Sequence, residues 1–129
     1  MPDEPVRVAV IDSGVSVTHP QIGPVADGVT IRPDGSFSPD YFDRLGHGTA
    51  VSAAIRERAP GADLLVVKVF DWTPTASVET LVSAIDWAAR QQADLINLSL
   101  GTTLPGHARL LRQAVDDASR AGVLLVAAR

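Results

Sequence analysis

The chain has 129 residues, 46% hydrophobic and 20% charged, with a formal net charge of -4, a balance that suits one domain around a single core. Lys68 is the only lysine and there is no basic surplus, so no phosphate-reading surface and no nucleic-acid partner is expected. The absence of cysteine excludes disulfides, thiolate metal sites and a Cys nucleophile, and no apolar stretch approaches the ~20 residues of a membrane helix.

The first residues, Met1-Pro-Asp-Glu-Pro, are acidic where a secretory signal needs a basic start and an apolar run. A cytoplasmic location is therefore expected, or an exported one if a signal has been removed. Val6 to Ile11 is a β-branched run closed by Asp12-Ser-Gly14, which reads as a buried strand ending in a turn. From Ser16 to Tyr41 the chain is rich in Gly, Pro, Asp and Ser, so loop with at most short strands is expected. Gly46-His-Gly-Thr49 opens a small-residue segment, Ala50 to Arg58, that reads as a closely packed helix ended by Pro60-Gly61, with His47 at its N-terminus.

Leu64 to Phe70 is a second buried strand. Ser77 can then cap a helix in which Val78, Leu81, Val82, Ile85, Ala88 and Ala89 recur at helical spacing to about Gln91 or Gln92. Ala93 to Leu100 reads as a third strand, closed by Gly101. Pro105 suits the first turn of another helix with Leu110, Leu111, Ala114, Val115 and Ala118 on its apolar face, and Val123 to Ala128 is a fourth strand. Strands alternating with helices imply right-handed crossovers and a parallel sheet. The expected class is α/β, a doubly wound parallel sheet of at least four strands in one domain over residues 1–129. Ligands of such sheets bind at the C-terminal strand ends, where Asp12, Asp71, Ser99 and Gly101 fall.

Asp12 at a strand end reads either as a solvated turn residue or as a carboxylate facing the cleft. His47, between Gly46 and Gly48, alters that balance: a strand-end carboxylate that meets its ring would set the tautomer and orientation a general base requires.

Val10-Ile-Asp-Ser-Gly-Val15 followed by His19-Pro20, Gly46-His-Gly-Thr49, and Ile96-Asn-Leu-Ser-Leu-Gly101 resemble, in order, the Asp block, the His block and the substrate-binding strand of subtilisin-like serine proteases. Val67 to Phe70 and Ala84 to Ala88 are similar to that family too, so the resemblance spans roughly residues 6 to 128. It implies that Asp12 orients His47, that His47 is general base and then acid, and that Ser99, Leu100 and Gly101 pair with an extended peptide by strand addition. Asp71 to Thr75 resembles the opposite rim of the cleft, where Trp72 either meets a substrate side chain or packs.

The resemblance also implies an oxyanion Asn and a Gly-Thr-Ser block with the nucleophile, which would lie beyond Arg129; none of the serines present stands in such a block. The chain alone is accordingly expected to be inactive, since triad members act as a unit. Ala53 stands where the family has a glycine, and its methyl could shift the helix that carries His47. Three readings follow: the N-terminal portion or subunit of a subtilisin-like endopeptidase completed by a Ser-bearing polypeptide, a non-catalytic pseudo-protease that binds a peptide, as in peptide maturation, or a purely structural module. Val123 to Val126 is apolar on both faces, as an interior strand should be. Left at an edge it would favour a complementary Ser-bearing chain or a homo-oligomer along that strand.

His19, His47 and His107 show no paired zinc spacing, so no metal is expected from the residues. The family resemblance alone would allow calcium near Asp34, Asp40 and Asp43, which otherwise read as solvated turn residues. Gly101 with Thr102 and Thr103, ahead of the Pro105 helix, lacks the motif of a phosphate-holding loop.

Overall fold

The computed structural model describes residues 4–99 and 108–127. Six strands, β1 (Arg7–Asp12), β2 (Asp27–Ile31), β3 (Phe37–Ser38), β4 (Asp63–Lys68), β5 (Leu95–Leu98) and β6 (Leu124–Ala127), form one sheet in the order β3-β2-β4-β1-β5-β6. All pairs are parallel except β2 with β3. Three helices flank the sheet: α1 (His47–Arg58), α2 (Val78–Arg90) and α3 (Ala108–Arg120). This is the α/β architecture the alternation implies. The Gly- and Pro-rich segment adds β2 beside β4 and the short antiparallel β3, and α1 begins at His47, where the sequence places the helix N-terminus.

Alternation along the strands divides the core into two layers. Ala9, Ile11, Leu65, Val67, Ile96 and Leu98 point to one face, where Leu81, Ala84, Ile85 and Ala88 of α2 and Ala118 of α3 cover them. Val8, Val10 and Leu64 point to the other, under Val51, Ala53 and Ile55 of α1. Each fully buried Ile or Leu contributes about 1.5–3 kcal/mol by removal from water. Ser77 caps α2 through the Thr80 N–H at 3.1 Å. The Arg56 guanidinium donates to the carbonyls of Ile22, Pro24, Pro60 and Ala62, which fastens the C-terminal end of α1 to the loops beside it.

Two expectations about side chains change. Leu110, placed by spacing on the apolar face of its helix, is exposed beside the groove between α2 and α3, while Leu111, Ala114 and Val115 pack on the core. The 3.6-residue period overestimates the width of the buried stripe there, because the main contacts of α3 among the described residues are with α2 and β6. In β6, only Leu125 joins the core; Leu124 and Val126 are 61% and 43% exposed. In register Leu124 stands beside Leu95 and Val126 beside Asn97, on the α1 side of the sheet. Since α1 lies over β1, that end of the face has no helix above it among the described residues.

Candidate active site

The site stands at the C-terminal ends of β1, β4 and β5, the edge at which doubly wound sheets bind ligands. β1 delivers Asp12 there, and its side chain is fully buried. The long loop then returns the chain to Gly46, whose φ of 96° lies in the left-handed region and lets the backbone turn abruptly into α1. His47 is the first residue of that helix, and its Nδ1 lies 2.9 Å from both carboxylate oxygens of Asp12. An ionised carboxylate only accepts, so Nδ1 is the donor, and in the neutral ring Nε2 keeps its lone pair. The His47 side chain is half-exposed, at 52%, while that of Asp12 is at 0%. The arrangement can take a proton from a group approaching from solvent and stabilise the resulting imidazolium.

Close backbone approach makes this possible. A Cβ on Gly48 would collide with the backbone of Gly14, and one on Gly14 with the backbone of Tyr41, so the two turns and the loop between them touch through glycine. The Ala53 methyl, in contrast, is accommodated: it packs partly buried against the Val8, Val10 and Leu64 layer, and the His47 to Asp12 contact is kept.

Sequence reasoning missed the polar groups beneath this pair. Asp43, read as a solvated turn residue, is buried. Its Oδ1 accepts from the Ser13 hydroxyl at 2.7 Å and from the N–H groups of Leu45 and Gly46, and its Oδ2 from the N–H and hydroxyl of Thr49 at 2.9 and 2.6 Å. Burial pushes its carboxyl up, but these bonds outweigh burial and hold it below the ordinary carboxylate value. No local pattern marked it, since Gly46 stands at the cap of α1 and Asp43 lies three residues ahead of that position. Lys68, also buried, donates from Nζ to the Phe42 carbonyl at 2.6 Å and pairs with Asp71 at 2.6 Å. The bond from Lys68 lowers the Asp71 carboxyl, against a smaller effect of burial, and Arg44 at 3.2 Å adds to it. This cluster ties the loop before His47 to the end of β4.

The other expected site residues are distributed as follows. Ser99 follows Leu98, which pairs with Ile11, and so stands at the strand end beside Asp12; its hydroxyl donates to Asn97 Oδ1 at 3.1 Å. Leu100 and Gly101, together with Thr102, Thr103, Pro105 and His107, lie outside the described residues. Trp72 is 67% exposed and lines a cavity of about 320 Å³ with Arg32, Phe70 and Thr75, so it is not core packing. Asp34, Asp40 and Asp43 do not fit a calcium ion: each binds donors in its own turn, and both oxygens of Asp43 face N–H and O–H groups. Among the described residues no group of three or more His, Asp or Glu side chains could hold a metal, and no helix is long and apolar enough to cross a membrane.

Comparison with known proteins gives a consistent set of matches. The model of the subtilase family, peptidase S8, matches residues 3–129. The chain is 36% identical over 132 residues to the minor extracellular protease Epr of Bacillus subtilis, covering 95% of this chain and 19% of that one. It is 36% identical over 132 residues to subtilisin Savinase of Lederbergia lenta, covering 95% and 46%. Among solved structures, the nisin leader peptidase NisP from Lactococcus lactis superposes with a TM-score of 0.79 at 25% identity, over 98% of this chain and 44% of that one. A lanthipeptide protease does so with a TM-score of 0.82 at 26% identity, over 95% and 38%. The chain thus spans less than half the length of each of these relatives.

Proposed function

This chain belongs to the subtilase family, and from that premise we propose that it is the N-terminal portion or subunit of a subtilisin-like serine endopeptidase, inactive until a Ser-bearing polypeptide completes it. The observation that carries the reading is the contact of half-exposed His47 with both oxygens of fully buried Asp12. In the completed site Asp12 fixes the ring, and His47 Nε2 removes the proton from an incoming serine hydroxyl. The same nitrogen then returns the proton to the leaving amine.

The serines nearest in sequence to Asp12 and His47 are engaged or enclosed. Ser13 Oγ is committed to Asp43 and to the Gly48 N–H, Ser16 Oγ to Thr18, and Ser52 is fully buried. The peptide would lie between Ser99 to Gly101 on one side and Trp72 on the other, adding a strand at the end of β5. The completing polypeptide would cover Leu124 and Val126 and pair with the open side of β6; a second copy of the chain is the other occupant of that strand. Calcium has no part in this reading.

The exposed Trp72 rim also favours a second reading, a pseudo-protease that holds a peptide without cutting it, and the likeness to leader-peptide and lanthipeptide peptidases makes a peptide under maturation its candidate ligand. Hydrolysis of a fluorogenic peptide, measured for the chain alone and with the polypeptide encoded directly after it, separates the two. Turnover only in the mixture supports the endopeptidase; saturable peptide binding without turnover in either sample replaces it with the pseudo-protease. Of the two compartments, the exterior is that of one relative by its name, and fractionation of the producing cells decides between it and the cytoplasm.

A further inference from the structure

Asp12 and His47 are far apart in sequence and come from different elements, so something must hold their two turns in register. Ser13 is fully buried directly after Asp12, and its N–H donates to Asp12 Oδ1 at 2.7 Å. The Ser13 hydroxyl donates to Asp43 and accepts the Gly48 N–H at 2.9 Å, so it bridges the Asp12 turn to the residue after His47. From the other side, Thr49 donates to Asp43 and accepts the Ser16 N–H at 2.9 Å, which ties α1 to the segment after β1 a second time. Both bridges meet on one carboxylate. The geometry points to Asp43 as the positioning residue of this site, the group that locks the Asp12 turn and the His47 turn together. The inference rests on the reading of Asp12 and His47 as half of a protease site, but its test does not need protease activity.

Physical chemistry favours an anion here. The donors surrounding the carboxylate are all N–H or O–H groups, and those of Leu45, Gly46 and Thr49 lie at the start of α1, where the unpaired N–H groups and the helix dipole favour negative charge. In Asp43→Asn, one acceptor oxygen becomes an NH₂ that must face either the Ser13, Leu45 and Gly46 donors or the two from Thr49. Donor then opposes donor on one side, and one of the two bridges opens. Ser13→Ala removes the first bridge alone and leaves Asp43 anchored by Thr49.

The readout is the His47 Nδ1–H proton by NMR, which the Asp12 carboxylate protects from exchange with water, recorded on the full chain where circular dichroism shows each variant folded. Asp43→Asn is expected to lose this resonance, and Ser13→Ala to exchange it about tenfold faster, the worth of one buried hydrogen bond. Thr49→Ser, which keeps both donors to Asp43, is expected to retain it. A role confined to fold stability would lower the melting temperature and leave the resonance of the folded variants unchanged, and that result overturns the inference. If Asp43→Asn does not fold, Ser13→Ala decides: wild-type exchange overturns the inference and faster exchange supports it. Should the chain prove to have no part in proteolysis, the resonance still reports on Asp43, so the two failures are told apart.

Discussion

The α1 side of the sheet has two ends that differ in finish. Over β1 and β4 the helix covers Val8, Val10 and Leu64, and the polar groups around Asp12, Ser13, Asp43 and Thr49 satisfy one another. Over β5 and β6 nothing among the described residues covers Leu124 and Val126, which face solvent beside Leu95 and Asn97. The opposite face shows no such contrast, since Ile96 and Leu98 of β5 and Leu125 of β6 all join the core under α2 and α3. The two ends differ in cover: the polar groups around Asp12 and His47 find their partners within the chain, whereas the described residues leave Leu124 and Val126 exposed.

The largest effect should come from the finished end. In the completed enzyme, Asp12→Asn is expected to keep the fold and lower kcat by ~10⁴-fold, because the His47 ring would be held in the wrong tautomer; steady-state hydrolysis measures it, and a loss under tenfold would separate Asp12 from the mechanism. Next comes the contrast between the two faces. Ile96→Ala should cost about 2–5 kcal/mol in denaturant unfolding by opening a cavity, whereas Leu124→Lys should change the stability of the chain alone by no more than ~0.5 kcal/mol. Leu124→Lys should nevertheless reduce association at the β6 edge, read by light scattering of the chain and by its capture of a completing polypeptide. A monomer at high concentration that also captures nothing would show the bare end to be ordinary surface.

The smallest effect is a dependence on pH. The Asp43 carboxyl lies lower in the folded chain than the ordinary 3.8, so the folded state binds fewer protons than the unfolded one between those two values. Its contribution is therefore fully present above 3.8 and is lost as pH falls through the lower folded value. Denaturant titrations across that range should show a steeper acid loss for the wild type than for Asp43→Asn.

Much of this was legible in the sequence. The runs at Val6 to Ile11 and Leu64 to Phe70, the helical spacing from Val78 to Ala89 and the Asp12 and His47 motifs are local signals, and local signals survive into the fold. What was not legible depends on partners distant along the chain. Asp43 reads as a turn residue until Ser13 and Thr49 close around it, and the run Val123 to Val126 does not say that, among the described residues, Leu124 and Val126 are left uncovered. The exposure of Leu110 likewise depends on how far α3 overlaps α2, which no periodicity encodes.

The central proposal is that this chain supplies the Asp and His of a protease site whose nucleophile comes from elsewhere. It is tested most directly by labelling with a fluorophosphonate probe, alone and mixed with the polypeptide encoded directly after it. No label is expected on this chain in either sample, and label on the added polypeptide only in the mixture, abolished by His47→Ala. Label on this chain itself would contradict it.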